Sequence, residues 1–140
     1  MDNDLVNNIL SQKKNSNNDS FLVINNKLSN IVNEIYKPYE LFNDNKMNKV
    51  KTLNSLINTY QYYIPGETFI VSGDYIRYIS KENKIGNNIY LKKGGFLLDE
   101  NEEYIRIMNN NRVMKVSKSN NYIFRKLTKN DIFRISISSI

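Results

Sequence analysis

The segment LKKGGFLLDE, residues 91 to 100, places two lysines directly before two glycines and an apolar run. A phosphate-binding loop of the Walker type has spaced glycines followed by Lys-Ser or Lys-Thr, between a strand and a helix. Here lysine precedes the glycines, neither Ser nor Thr follows, and a strand pattern continues after them. The segment therefore predicts a strand that bends at a glycine pair, with close approach of a ligand or a partner backbone as the alternative.

A cluster of carboxylates follows this segment at Asp99, Glu100, Glu102 and Glu103. Oxygen ligands of this kind bind Ca²⁺ or Mg²⁺, but the ligand spacing of an EF-hand is absent. A carboxylate pair for acid–base catalysis would need one buried member to separate the two pKa values. The sequence favours a solvated hairpin tip, with no metal and no cofactor, over a small metal-dependent hydrolase.

Much enzyme chemistry is excluded by the residue types that the chain lacks. Its 140 residues include no cysteine and no histidine. Thiolate nucleophiles, cysteine-ligated metals and Ser-His-Asp triads are therefore impossible. An enzyme would have to use carboxylates, lysine, tyrosine or hydroxyl groups, and we predict that the protein is not an enzyme.

Basic and aromatic residues are interleaved in the second half of the chain. Residues 62–140 carry 13 Lys and Arg against 8 Asp and Glu, which accounts for +5 of the net charge of +6. Strand periodicity places Tyr75 beside Arg77 on one face of DYIRYIS. Rings beside cations hold bases and phosphates in single-strand-binding barrels, although rings can equally fill a barrel while cations keep it in solution. The candidate nucleic-acid-binding residues are Tyr75, Arg77, Tyr104, Arg106, Arg112 and Lys115.

The first 61 residues contain no glycine and have helical periodicity. A weak helix is predicted over residues 2–11, a second from an N-cap at Asp19 or Ser20 to Pro38, and a third from Val50 to Tyr60. The apolar stripes favour a helical hairpin that packs on the rest of the protein. The alternative is a partner-binding or self-association seam formed by Phe21, Ile24, Leu28, Ile31, Ile35, Val50, Leu53 and Ile57.

After a boundary near YYIPGE, residues 62 to 67, period-two patterns replace the helical ones. Strands are predicted in TFIVS, DYIRYIS, NIYLKKGGFLL, EYIRIMN, RVMKVS, NYIFRKL and IFRISIS. In the last of these, Phe133, Ile135 and Ile137 alternate with polar residues. The predicted class is α+β, with a helical segment of two to three helices over residues 1–61 and a small SH3-like antiparallel β-barrel over residues 62–140.

A resemblance to known proteins rests on SGDYIRYISKENK, KKGGFLLDENEEYIRIMN and the basic strand RVMKVS. These segments resemble small β-domain proteins of large, AT-rich DNA viruses of the mimivirus kind, and their layout resembles SH3-like and Tudor-like barrels. The similarity covers residues 67–127. It implies a viral origin, a non-enzymatic β-module, and a place in the host cytoplasm, the viral factory or the virion. The 25 Asn and 18 Ile residues are typical of an AT-rich genome.

The expected location and partners follow from hydropathy and charge. No apolar stretch approaches the roughly 18 residues that cross a bilayer, and no signal-peptide pattern is present, so we expect an intracellular protein without a membrane span. The pI near 9.4 favours polyanionic partners. We predict an assembly or adaptor protein that binds a protein partner, or itself, through its helices and barrel, with nucleic-acid binding as the alternative.

Overall fold

The computed structural model describes residues 20–138, and its architecture is α+β, as predicted. The described residues contain three α-helices: α1 (Phe21–Tyr36), α2 (Asn45–Leu56) and α3 (Lys129–Ser138). The helix predicted over residues 2–11 lies outside the described residues. The Ser20 hydroxyl caps α1 by accepting a hydrogen bond from the Val23 N–H at 3.1 Å.

Six strands form one antiparallel sheet in the order β1-β6-β2-β3-β4-β5. Because β1 and β5 are not neighbours in this order, the sheet is open and is not closed into the predicted barrel. The strands are β1 (Tyr60–Tyr62), β2 (Tyr75–Ser80), β3 (Lys92–Glu100), β4 (Tyr104–Asn109), β5 (Arg112–Ser117) and β6 (Asn121–Lys126).

Each face of the sheet carries its own apolar core. On one face, α1 and α2 pack against β1, β6 and β2, and this core joins helical residues such as Leu28 to sheet residues such as Phe124. The opposite face carries a second core, which includes Ile105, Ile107 and Ile123. Adjacent residues of one strand therefore enter different cores, since strand side chains alternate between faces.

The glycine pair lies inside β3, which confirms the predicted strand. A Cβ atom at Gly94 would collide with the Ile76 carbonyl in β2, and one at Gly95 would collide with the Met108 carbonyl in β4. The pairing of β2 with β3 shifts register between Ile76 and Tyr78, opposite the pair. Glycine is required here because the neighbouring backbones leave no room for a side chain.

The prediction of a strand in IFRISIS is wrong, because these residues lie in α3. The helix begins with a capping box: the Asp131 carboxylate accepts the Thr128 N–H at 2.7 Å, and the Thr128 hydroxyl accepts the Asp131 N–H at 3.2 Å. In a strand, Phe133 and Ile135 would lie on the same face. In the helix they do not, so Ile135 is buried and Phe133 is exposed. The capping signal outweighs the β-branched composition of the segment.

Two further boundaries differ from the sequence prediction. TFIVS, residues 68–72, forms no strand, because side chains hydrogen-bond to its backbone in place of a neighbouring strand. For example, the Val71 N–H donates to the Asp74 carboxylate at 2.9 Å. Periodicity predicts that the third helix reaches Tyr60, but α2 ends at Leu56 and Tyr60 begins β1. Asn58 adopts a left-handed backbone with φ of 65°, and this conformation ends α2.

Arg125 in β6 is the buried centre of an ionic cluster that joins three segments. Its guanidinium lies 2.9 Å from the Asp74 carboxylate and 2.8 Å from that of Asp131, and it donates to Gln61 at 2.8 Å. A buried charge needs such partners to offset its lost hydration. The cluster attaches the loop before β2 and the start of α3 to the sheet.

The ionic cluster predicts a pH dependence of stability. Burial alone would raise the pKa of Asp131, but hydrogen bonds from Thr128 and the charge of Arg125 outweigh burial and lower that pKa. Because the pKa of Asp131 is lower in the folded state, the ionised carboxylate stabilises the fold at pH values above the unfolded-state pKa of about 3.9. This stabilisation is lost as the pH falls through the folded-state pKa. We expect the free energy of unfolding to drop below about pH 4.

The variant Asp131→Asn isolates this contribution. At pH 7 we expect it to lose about 2 kcal/mol of stability, because a charged hydrogen-bond partner of Arg125 is removed. Its stability should also fall less steeply with acid than that of the wild type. Urea unfolding between pH 3 and pH 7 measures both effects, and a wild-type pH profile in the variant would contradict the assignment.

Candidate functional site

Four apolar side chains form a row across the sheet, from Tyr75, which packs against the helix-covered core, to the edge strand β5. The direct cross-strand pairs Tyr75–Phe96, Phe96–Met108 and Met108–Val113 place them side by side from β2 to β5. Phe96 is 57% exposed and Val113 is 51% exposed. The rings of Tyr75 and Phe96 meet edge to face, with centroids 5.2 Å apart. We call these four residues the apolar row.

The apolar row ends at β5, which is an edge strand of the sheet. The Lys118 N–H, just after β5, donates to the Glu103 carbonyl at 2.9 Å on the side of β4. Because antiparallel hydrogen bonding alternates along a strand, the N–H groups of Val113, Lys115 and Ser117 point away from β4. Such unpaired edge groups can pair with an additional strand.

The charges beside the apolar row are unevenly paired. Both oxygens of Asp99 accept hydrogen bonds from Arg106, and this guanidinium holds the pKa of Asp99 below its ordinary value. On the opposite face of the sheet, Glu100 accepts a hydrogen bond from Lys118 at 2.7 Å. Within residues 20–138, neither Arg112 nor Lys115 forms an ion pair. The edge at β5 therefore has unneutralised positive charge.

Five of the six predicted nucleic-acid-binding residues share the face of the apolar row. By strand register, Arg112 lies on the opposite face of β5. The Lys115 ammonium lies 4.6 Å from the ring centroid of Tyr104 and covers that ring, while Arg106 is held by Asp99. The residues that the register brings to one face are Tyr75, Arg77, Tyr104, Arg106 and Lys115.

The predicted partner-binding stripes lie mostly against the sheet. Three of their residues are buried in the core, three pack against it while partly exposed, Ile57 is half-buried and Val50 is exposed. The stripe of α1 therefore forms the hairpin-like packing that was the other interpretation of the sequence. The buried residues are Ile24, Leu28 and Ile35, and the partly exposed ones are Phe21, Ile31 and Leu53.

Helix α2 turns a polar side inward, although its apolar residues predicted the reverse. Asn45, Asn48 and Thr52 are buried, whereas Met47 and Val50 are exposed. The Asn45 amide donates to two backbone carbonyls at 3.0 Å each and accepts the Ile89 N–H at 2.8 Å. Polar residues face inward because the backbone of residues 87–89 lies against the helix and needs hydrogen-bond partners.

A groove of about 260 Å³ opens between α2 and residues 89–91. Asn48 is 8% exposed, and its amide nitrogen is a buried side-chain atom without a hydrogen-bond partner in the described residues. No feature of the sequence distinguishes Asn48 from the other asparagines, because Asn occurs 25 times. The residues that line the groove are Asn48, Lys51, Thr52, Ser55, Arg77, Ile89, Tyr90 and Leu91.

The described residues contain no group of three or more side chains that could hold a metal ion. In the acidic hairpin, Asp99 and Glu100 are paired separately with Arg106 and Lys118. Among the helices of residues 20–138, none has the length and apolar character of a membrane span.

Comparison of the chain with protein-family models, with curated proteins and with solved structures found no match. The resemblance to proteins of large DNA viruses therefore stays a prediction.

Replacement of Asn48, whose buried amide nitrogen has no hydrogen-bond partner in the described residues, is expected to raise stability. An unsatisfied buried donor costs about 1–3 kcal/mol, so Asn48→Leu should unfold at a higher urea concentration than the wild type. The matched control is Asn45→Leu on the same helix, which removes three hydrogen bonds and should lower stability by about 2–4 kcal/mol. A destabilised Asn48→Leu would contradict the assignment of an unpaired amide.

Proposed function

We propose that the protein is a non-catalytic assembly or adaptor module that binds an acidic protein segment as an added strand on β5. The observation that carries the proposal is the apolar row, which runs in direct cross-strand register to a free sheet edge. A segment that pairs with the outward groups of β5 would extend the row with its own side chains. Strand addition takes its affinity from backbone hydrogen bonds and its specificity from alternate side chains.

The side chains of β5 indicate the chemistry of the added segment. Val113 and Lys115 lie on one face of the strand and are two residues apart. An apolar residue opposite Val113 would cover the end of the apolar row, and a carboxylate two positions away would face Lys115. The expected recognition pattern is an apolar residue and an Asp or Glu separated by one residue. The net charge of +6 favours such an acidic partner.

Binding of single-stranded nucleic acid on the same face is the second candidate function. It is favoured by the shared face of Tyr75, Arg77 and Lys115, with the exposed ring of Phe96 among them. Stacking needs ring faces that bases can reach, and two members of the apolar row are aliphatic. Lys115 covers the ring of Tyr104, and Asp99 neutralises Arg106. These contacts support a protein segment over a nucleic acid.

The viral origin and the expected intracellular location, in the host cytoplasm, the viral factory or the virion, belong to this proposal through the sequence resemblance alone. They do not depend on the strand-addition geometry. The division into segments 1–61 and 62–140 also stays a prediction, and the core beneath α1 contains residues of both segments.

A random peptide library selected on the wild-type chain tests the proposal. We expect enriched peptides to combine an apolar and an acidic residue at i and i+2. Val113→Ser should weaken their binding by about 5- to 10-fold, because covering the half-exposed Val113 side chain at the β5 edge contributes about 1–1.5 kcal/mol. The matched control is Val50→Ser, which alters a valine on α2 that is 57% exposed and should leave binding unchanged.

Two parallel measurements distinguish the other occupants of this face. Salt-sensitive binding of a labelled single-stranded nucleic acid would support the second candidate instead, provided that the double variant Arg77→Glu, Arg106→Glu abolishes it. A dimer in sedimentation that dissociates in Val113→Ser would identify a second copy as the partner. Peptides that bind Val113→Ser and wild type equally would contradict the proposed surface.

A further inference from the structure

We propose that the groove between α2 and residues 89–91 binds a small ligand that carries a phosphate group. None of the apolar row lines this groove, so the inference goes beyond the proposed function. Three features carry it: the charge of the lining, the unpartnered amide of Asn48 and the inward polar side of α2.

The lining of the groove is positively charged and contains no carboxylate. Its cations are Arg77, on the sheet, and Lys51, on the helix. The Arg77 guanidinium donates to the carbonyl oxygens of Leu91 and Lys92, both at 3.4 Å, and also hydrogen-bonds the Tyr60 hydroxyl. It forms no ion pair within the described residues, so these neutral contacts orient the guanidinium without neutralising its charge. The planar guanidinium fork matches the oxygens of a phosphate.

The amide of Asn48 supplies an unused donor at the same groove. Its two inward-facing neighbours on α2 already have partners: Asn45 bonds to the backbone of residues 87–89, and Thr52 lies 2.8 Å from the Tyr36 hydroxyl. The Asn48 nitrogen has none, and an unpaired buried donor is costly. Because Asn48 lines the groove, we expect rotation about its last side-chain bond to let this nitrogen donate to a bound phosphate oxygen.

The dimensions and the walls of the groove indicate the class of ligand. A volume of about 260 Å³ accommodates a phosphate group together with a small organic body. Ile89, Leu91 and the exposed ring of Tyr90 form an apolar wall beside the cations. Two cations favour the doubly charged phosphate over a singly charged carboxylate. We therefore expect phosphate to bind more tightly than acetate.

Titration of the ¹⁵N-labelled full chain with inorganic phosphate tests this site by NMR. We expect saturable shifts of the Asn48 side-chain amide and of the Arg77 Nε–H, with much smaller shifts for acetate or chloride at matched ionic strength. Lys51→Gln should weaken phosphate binding by about fivefold, and Arg77→Gln should abolish it. Lys46→Gln is the matched control, because it removes an exposed lysine of α2 that lies outside the groove.

Three outcomes would overturn the site: no saturable shift up to about 20 mM phosphate, equal shifts with acetate, or equal phosphate affinity in Lys51→Gln and Lys46→Gln. Lys51 is exposed, so its substitution tests the groove even if Arg77→Gln fails to fold. Val113→Ser should bind phosphate as the wild type does, because Val113 lies outside the groove, and this separates failure of the phosphate site from failure of the apolar row.

Discussion

The close approach of β2 and β4 to the glycine pair of β3 is the constraint on which the rest of the structure depends. No side chain fits at Gly94 or Gly95, because carbonyl groups of both neighbouring strands occupy that space. The adjacent residue, Phe96, then lies in direct register with Tyr75 on one side and Met108 on the other. The alignment of the apolar row therefore follows from two residues that contribute no side chain.

The candidate sites arise because the helices cover only part of one sheet face. Helix α1 packs over β1 and its neighbours, and Tyr36 at its end is fully buried, bonding to Thr52 and to the Ile89 carbonyl at 3.0 Å. These contacts hold α2 with its polar side inward and create the groove. Within residues 20–138, the apolar side chains of β3, β4 and β5 on this face remain partly exposed and extend to an edge strand.

Local signals in the sequence predicted the elements that depend on local chemistry. The serine cap and Pro38 bracket α1, and strand periodicity identified β2 to β6, including the strand through the glycine pair. Two of the failures depend on contacts distant in sequence: the orientation of α2 follows from residues 87–89, and the openness of the sheet from strand order. The missing strand in TFIVS follows instead from a local contact, the hydrogen bond from the Val71 N–H to Asp74. The capping box at Thr128 was a local signal, but β-branched composition obscured it. The register places the predicted tyrosines and arginines of β2 and β4 on one face. Periodicity alone, however, does not predict that Arg106 pairs with Asp99.

Amide hydrogen exchange in β5 tests the central claim most directly, namely that an acidic segment adds to the sheet at this edge. The account predicts that a saturating selected peptide slows exchange at Val113, Lys115 and Ser117, whose N–H groups point outward. Met114 and Val116, which already face β4, should change little, and this alternation would be the signature of strand addition. Unchanged exchange at the outward amides while the peptide is bound would contradict the account.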